Sequence, residues 1–193
     1  MTAFIDKALH RLRNLAGQLR SSCLRRPYWR LQGMRVGPRT RLPVIRATWP
    51  HQVSIGADCT LEDGIYFKFD GIWSRGPHIV LGDHCFIGAN CEFNISAHIE
   101  VGRDTLIGSG CKFIDHNHNL AFGEEIGALE GDCAAIAIGR GVWLGCNVIV
   151  LPDSTLGNGS VVGAGAVVTK SIPENEIWGG IPARKLGVRP AKG

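Results

Sequence analysis

An all-β solenoid is the fold class this sequence predicts, and three observations predict it. An aliphatic residue recurs every six positions, a glycine or another small or polar residue usually follows it, and a small residue stands four places on. The clearest run is Ile138-Gly139, Leu144-Gly145, Val150-Leu151, Leu156-Gly157, Val162-Gly163 and Val168-Thr169, six registers without a slip. An earlier run reads Leu81-Gly82, Ile87-Gly88, Phe93-Asn94 and Ile99-Glu100, then restarts two residues late at Val101-Gly102, Ile107-Gly108 and Phe113-Ile114. A looser start stands at Ile55-Gly56 and Leu61-Glu62. A step of six fits neither the 3.6-residue period of a helical face nor the two-residue alternation of a hairpin strand. The repeat unit is therefore a short strand plus a corner, stacked into a coil.

In such a coil the aliphatic residue points to the axis and the following glycine takes backbone conformations that a Cβ resists. The residue four places on also points inward and must be small. Cys59, Cys85, Cys91, Ala97, Thr105, Cys111, Val142, Val148, Ser154, Ser160 and Ala166 occupy that position. Four of the seven cysteines are thereby assigned to packing as compact hydrophobes. Cys23, Cys133 and Cys146 are scattered and no C-x-x-C pair exists, so reduced thiols are expected and no metal site is.

The chain has 193 residues and 45% hydrophobic content, enough for one domain. Its net charge of +4 hides an asymmetry: residues 1–46 hold eleven Lys and Arg and one acidic residue, Asp6. The boundaries follow: a basic helical segment over 1–35, the solenoid over 36–184 and a tail over 185–193. Within the head, Ile5, Ala8, Leu9, Leu12, Leu15, Ala16 and Leu19 share one face at helical spacing, which predicts a short amphipathic helix. That helix caps the first coil or, as the alternative, makes peripheral contact with an anionic inner membrane surface; nucleic acid is the least favoured partner. Lys7, Arg11, Arg13 and Arg20 interrupt every apolar run long enough for a signal or spanning segment, so a cytoplasmic location is expected.

Over residues 53–184 the repeats resemble the hexapeptide-repeat acyltransferases, which fold as left-handed parallel β-helices. Residues 138–145 and 162–170, ending Gly163-Ala164-Gly165-Ala166-Val167-Val168-Thr169-Lys170, are similar to the acetyl-CoA-binding half of maltose, galactoside and polysaccharide O-acetyltransferases. Gly180-Ile181-Pro182-Ala183-Arg184 matches their closing motif. The left hand is implied by the resemblance alone, since general crossover rules favour the right. The resemblance also implies acetyl-CoA as co-substrate and a homotrimer whose sites lie between neighbouring chains. The short basic head is most similar to that of the cell-surface polysaccharide O-acetyltransferases, which implies a sugar-containing acceptor. O-acetylation of a sugar hydroxyl is the first expectation and N-acetylation of an amino sugar the second.

The repeat breaks after Phe113, where Asp115-His116-Asn117-His118-Asn119 leads into an irregular segment; a protruding loop over 117–133 is expected to line the acceptor pocket. It carries Glu124, Glu125, Glu130 and Asp132 with Gly123, Gly127 and Gly131. His116 falls where the resembling family has its catalytic histidine. An imidazole titrating near neutrality suits removal of a hydroxyl proton during acyl transfer. The sequence departs from the family in having Asn117 after this histidine and a second histidine, His118, two places on. Asp115 is read either as orienting the imidazole or as an exposed turn residue, and stands outside the catalytic set. For the co-substrate, the resemblance points to Gly145 and Ala164 along the pantetheine arm and to Thr169, Lys170 and Arg184 at the phosphates. Trp143 is read as packing on the co-substrate or at a subunit seam. His78, His84, His98, His116 and His118 do not show the separation along the coils that a γ-type carbonic anhydrase needs for zinc.

Overall fold

The computed structural model describes residues 24–70, 74–120, 122–123, 125–126 and 131–191. The amphipathic helix expected over residues 5–19 lies outside them. The chain winds into a left-handed parallel β-helix of triangular section. Its first face stacks Arg35–Val36, Val53–Ile55, Ile79–Leu81, Ile99–Val101, Ile136–Ile138 and Thr155–Leu156. The second face stacks Thr60–Leu61, Phe86–Ile87, Leu106–Ile107, Trp143–Leu144, Val161–Val162 and Glu176–Gly179, and the third Ile45–Ala47, Ile65–Phe69, Glu92–Ile95, Lys112–Ile114, Ile149–Val150 and Val167–Val168. Every pairing is parallel except the last, where Arg184–Val188 folds back antiparallel on Glu176–Gly179. The return strand thus carries the sheet to Val188, beyond the start of the expected tail at 185.

Ahead of the coils, residues 24–31 form a helix. Gly33, with φ of +92°, donates to the Arg30 carbonyl and Met34 to the Trp29 carbonyl, the left-handed termination that glycine favours. Met34 then enters the core.

The expected pattern of inward residues is present. The aliphatic ladder and nearly all the small positions are buried; Ala97 is the exception, half-buried at an irregular corner. The cysteines do more than fill space. The thiols of Cys59, Cys85, Cys91 and Cys111 donate to the carbonyls of Gly82, Gly102, Gly108 and Gly145 on the next coil at 3.1–3.3 Å. Thr105 Oγ1 does the same to Gly139 at 3.0 Å.

The role expected of the glycine after each aliphatic residue needs correction. These glycines do not occupy the left-handed region; the positive φ falls two places later, at Asp58, His84, Asn90, Asp104, Asn147 and Gly165 among others. The glycine is required by close approach instead: a Cβ on Gly145 would stand 2.6 Å from the Ala164 amide nitrogen one coil on.

The coils gain residues at one edge. Along the first face the step is 18 residues from Ala137 to Thr155, but 20 from Val80 to Glu100, 26 from Ser54 to Val80 and 37 from Glu100 to Ala137. Each surplus leaves between a third-face strand and the next first-face strand, so irregular chain gathers along a single edge. Inside that region of the coil, Phe67, Phe93 and Phe113 stack with ring centroids 5.1 and 4.7 Å apart, all fully buried. Phe93→Ala removes the middle ring and is expected to destabilise the fold by about 3–5 kcal/mol in chemical denaturation.

Candidate functional site

The edge between the third and first faces carries His116, and because His98 and His78 occupy it on preceding rungs we call it the histidine edge. His116 follows the strand Lys112–Ile114 and opens the longest excursion. The two stems of that excursion pair antiparallel, His116 opposite Cys133, with Asn117 donating to the Asp132 carbonyl at 2.9 Å and Ala134 to the Asp115 carbonyl at 2.8 Å. A Cβ on Gly131 would run into the Asn117 carbonyl, so the close crossing depends on that glycine. The loop expected over 117–133 is therefore tied at its base. Its described part exposes His118, Leu120 and Phe122. Glu124, Gly127 and Glu130 lie outside the described residues.

Asp115 is not an exposed turn residue. Its side chain is fully buried, and its carboxylate accepts the backbone N–H groups of Ser96 at 2.7 Å, Ala97 at 2.8 Å and His98 at 2.9 Å. The two additional residues at the preceding corner leave these three N–H groups without a strand partner, and the carboxylate from the next coil supplies one. The same carboxylate lies 3.2 Å from His116 Nδ1, with Ser96 Oγ 3.3 Å from that nitrogen. Nδ1–H donating to Asp115 leaves Nε2 with its lone pair. Nε2 makes no hydrogen bond to any described residue, and the imidazole is one-quarter exposed. Sequence reasoning left Asp115 outside the catalytic set, with orientation of the imidazole as one of its two readings, and it missed Ser96. The adjacency Asp-His was the available signal for the first; for Ser96 the signal was the two-residue slip in the repeat.

The residues expected to meet a co-substrate divide between edges. Gly145 and Ala164 stack on consecutive rungs of the edge between the second and third faces, the glycine edge. Arg184 pairs with Gly179, which lies beneath Gly163 on the same edge, so it stands near them. Thr169 and Lys170 lie exposed on the histidine edge, with Lys170 Nζ 5.3 Å from the Trp178 ring centroid. Trp143 is exposed on the second face, in register with Leu106 and Val161. On the glycine edge the amide N–H groups of Cys146 and Ala164 make no hydrogen bond to described residues, whereas the next ones, Asn147 and Gly165, bond back to the preceding coil. Cys146 was not singled out from the sequence, because a free backbone donor has no side-chain signature. Among the described residues no cluster of three or more His, Cys, Asp or Glu is placed to hold a metal ion. Nor is any described helix long and apolar enough to cross a membrane.

Comparison with known proteins agrees with the fold. Residues 136–170 match the bacterial transferase hexapeptide family (six repeats), and residues 78–111 match the hexapeptide repeat of succinyl-transferase. Both matched stretches are hexapeptide repeats of the coil. The chain is 41% identical over 115 residues to WbbJ of Escherichia coli K12, named for lipopolysaccharide biosynthesis O-acetyl transfer; the match covers 51% of this chain and 58% of that one. It is 29% identical over 137 residues to the galactoside O-acetyltransferase of the same organism, covering 69% of this chain and 62% of the relative. The chain thus spans about three-fifths of the length of these curated relatives. Among solved structures, the Vibrio cholerae hexapeptide-repeat acetyltransferase VCA0836 in complex with acetyl-CoA superposes with a TM-score of 0.65 at 27% identity, over 88% of this chain and 78% of that one.

The fold's dependence on the buried carboxylate is open to measurement. Asp115→Ala strands three backbone N–H groups in a half-buried corner and is expected to cost about 3 kcal/mol in urea unfolding, with Asp115→Asn costing less because one oxygen acceptor remains.

Proposed function

We propose that this chain transfers an acetyl group from acetyl-CoA to a hydroxyl of a sugar-containing acceptor, with His116 as general base. The observation that carries this reading is the placement of His116: Nδ1 is held by Asp115 and Ser96, and Nε2 is free at the mouth of the tied loop. An imidazole so held presents its base nitrogen without having to break a hydrogen bond first. His116 Nε2 takes the acceptor's hydroxyl proton as the oxygen bonds to the thioester carbonyl carbon, and returns it to the sulfur as the C–S bond breaks. The negative Asp115 stabilises the imidazolium between those two events. Acetyl-CoA supplies the activated acyl carbon.

The glycine edge fits the pantetheine arm. Small residues leave its backbone open, and the unbonded N–H groups of Cys146 and Ala164 are donors for the amide carbonyls of an extended arm. Arg184 supplies a cation beside the same edge, and Lys170 one on the histidine edge. The named relatives support acetyl as the acyl group and a saccharide as the acceptor.

Within one chain, the glycine and histidine edges stand on opposite sides of the third face, roughly five residues of extended chain or on the order of 15 Å apart. A second chain that brings its glycine edge to this chain's His116 closes that gap, which favours a homotrimer with shared sites. The second face, which borders the glycine edge, carries the surface for it: Phe86, Leu106, Trp143, Val161 and Ile177 form an outward row in register, with Leu106 49% and Trp143 55% exposed.

Two outcomes are expected. His116→Ala lowers kcat for acetyl-CoA-dependent transfer by about 10²- to 10⁴-fold, measured as acceptor-dependent release of free CoA over a panel of sugars and amino sugars, whereas His118→Ala changes it little. Transfer confined to amino sugars would replace O-acetylation by N-acetylation. In light scattering the native protein runs at three times the 20.8 kDa chain mass, and Leu106→Glu with Trp143→Glu shifts it toward the single-chain mass.

A further inference from the structure

The histidine edge does not end at His116. Toward the N-terminal coils it presents the corner of Ser96 and His98, then that of Ser74 and His78, then His51 and Gln52, on three consecutive rungs fixed by the pairings of Ile136 with Ile99, Ile99 with Ile79 and Ile79 with Val53. The surface along it is half-buried and polar. Gln52, itself 1% exposed, accepts at Oε1 from His78 Nδ1 at 2.6 Å and donates from Nε2 to the Ser74 carbonyl at 2.8 Å, which fixes the intervening imidazole. Burial, and next to it the proximity of His98, hold the His78 imidazole below its ordinary pKa. It therefore presents hydrogen-bonding capacity without charge at neutral pH.

At the far end the edge opens into a hollow of about 340 Å³ lined by Gly33, Arg35, His51, Ser74, Arg75 and Gly76. Among the described residues no carboxylate lines it. Arg39 pairs with Asp58 and Arg103 lies beside Asp104, whereas Arg35 and Arg75, like several other arginines of the coil, make no ion pair among the described residues. Two exposed guanidinium groups and an imidazole thus converge on a concave site with no internal counter-charge. Guanidinium forks match phosphate oxygens in pairs, so two of them suit a diphosphate better than a single phosphate or a neutral sugar.

We propose that this hollow binds the diphosphate of the acceptor, which is a glycosyl diphosphate lying along the histidine edge with its sugar toward His116. The inference rests on the acetyl-transfer reading for the role of the sugar but not for the anion site. Three rungs at about 4.8 Å each separate His51 from His116, a span of about 14 Å that a hexose and its diphosphate fill. The half-buried Ser96, His98 and His78 between them supply donors and acceptors for sugar hydroxyls. Nucleotide-linked and lipid-linked sugars share this diphosphate, and the test distinguishes them.

Isothermal titration of the full-length protein with inorganic pyrophosphate, UDP-glucose and farnesyl diphosphoglucose in detergent reads the site directly. The native protein is expected to bind pyrophosphate, with affinity falling as salt rises. Arg35→Ala with Arg75→Ala is expected to weaken binding at least 30-fold at an unchanged melting temperature, and Arg35→Lys with Arg75→Lys to fall between. Tighter binding of UDP-glucose identifies a nucleotide sugar, and tighter binding of farnesyl diphosphoglucose a lipid-linked one. His116→Ala is expected to retain pyrophosphate binding, so failure of the transfer reading leaves this readout standing. No pyrophosphate binding by the native protein, or binding that the alanine pair leaves unaltered, overturns the proposal.

Discussion

In-register hydrogen bonding between successive coils is the constraint on which the rest of this protein depends. Along each face, N–H groups of one rung meet carbonyls of the next, as Gly108 does with Leu144 and Gly145 with Val162, both at 2.8 Å. A strand displaced by one residue would turn its inward aliphatic side chain to solvent and its polar neighbour to the axis. The coil therefore tolerates no change of length within a face. Additional residues must leave at an edge and return to the same register, and here they all use one edge. The repeat thereby creates the rigid scaffold, and the one edge that takes the surplus becomes the line along which irregular, chemically varied chain accumulates.

Asp115 is where that constraint becomes chemistry. An enlarged corner strands backbone donors, and the carboxylate from the following coil satisfies three of them while also touching His116 Nδ1. The group that repairs the coil is the group that fixes the imidazole. This coupling gives the histidine a single orientation without a dedicated supporting loop, and it sets the histidine at the edge where the tied loop 117–133 begins.

Much of the fold was legible in the sequence because a solenoid repeats its local rule. The six-residue step placed the inward ladder from Leu81 to Val168, and the small residues four places on marked the turns of the coil. The glycine rule was read with the wrong cause: Gly145 is small because the next coil passes it closely, while the left-handed conformation belongs to Asn147 and its equivalents. Periodicity alone carries no handedness, and the left hand entered through the resemblance. The two-residue slip before Val101 was visible as an interruption but not as a stranded backbone, because unsatisfied N–H groups leave no letter in a sequence.

The site was legible in part for the same reason. His116 stood out by its place at the break in the repeat, whereas the burial of Asp115 depends on a carboxylate reaching back under the preceding rung, which no local pattern reports. The separation of Gly145 and Ala164 from His116 by a whole face became visible only once the coil was wound. The most direct test of the account is the tautomer of His116, read from two-bond ¹H–¹⁵N NMR correlations of the native protein. The account predicts a neutral imidazole protonated at Nδ1, with Nε2 carrying the free lone pair. An Nε2–H tautomer would place the proton on the nitrogen assigned as the base and contradict it.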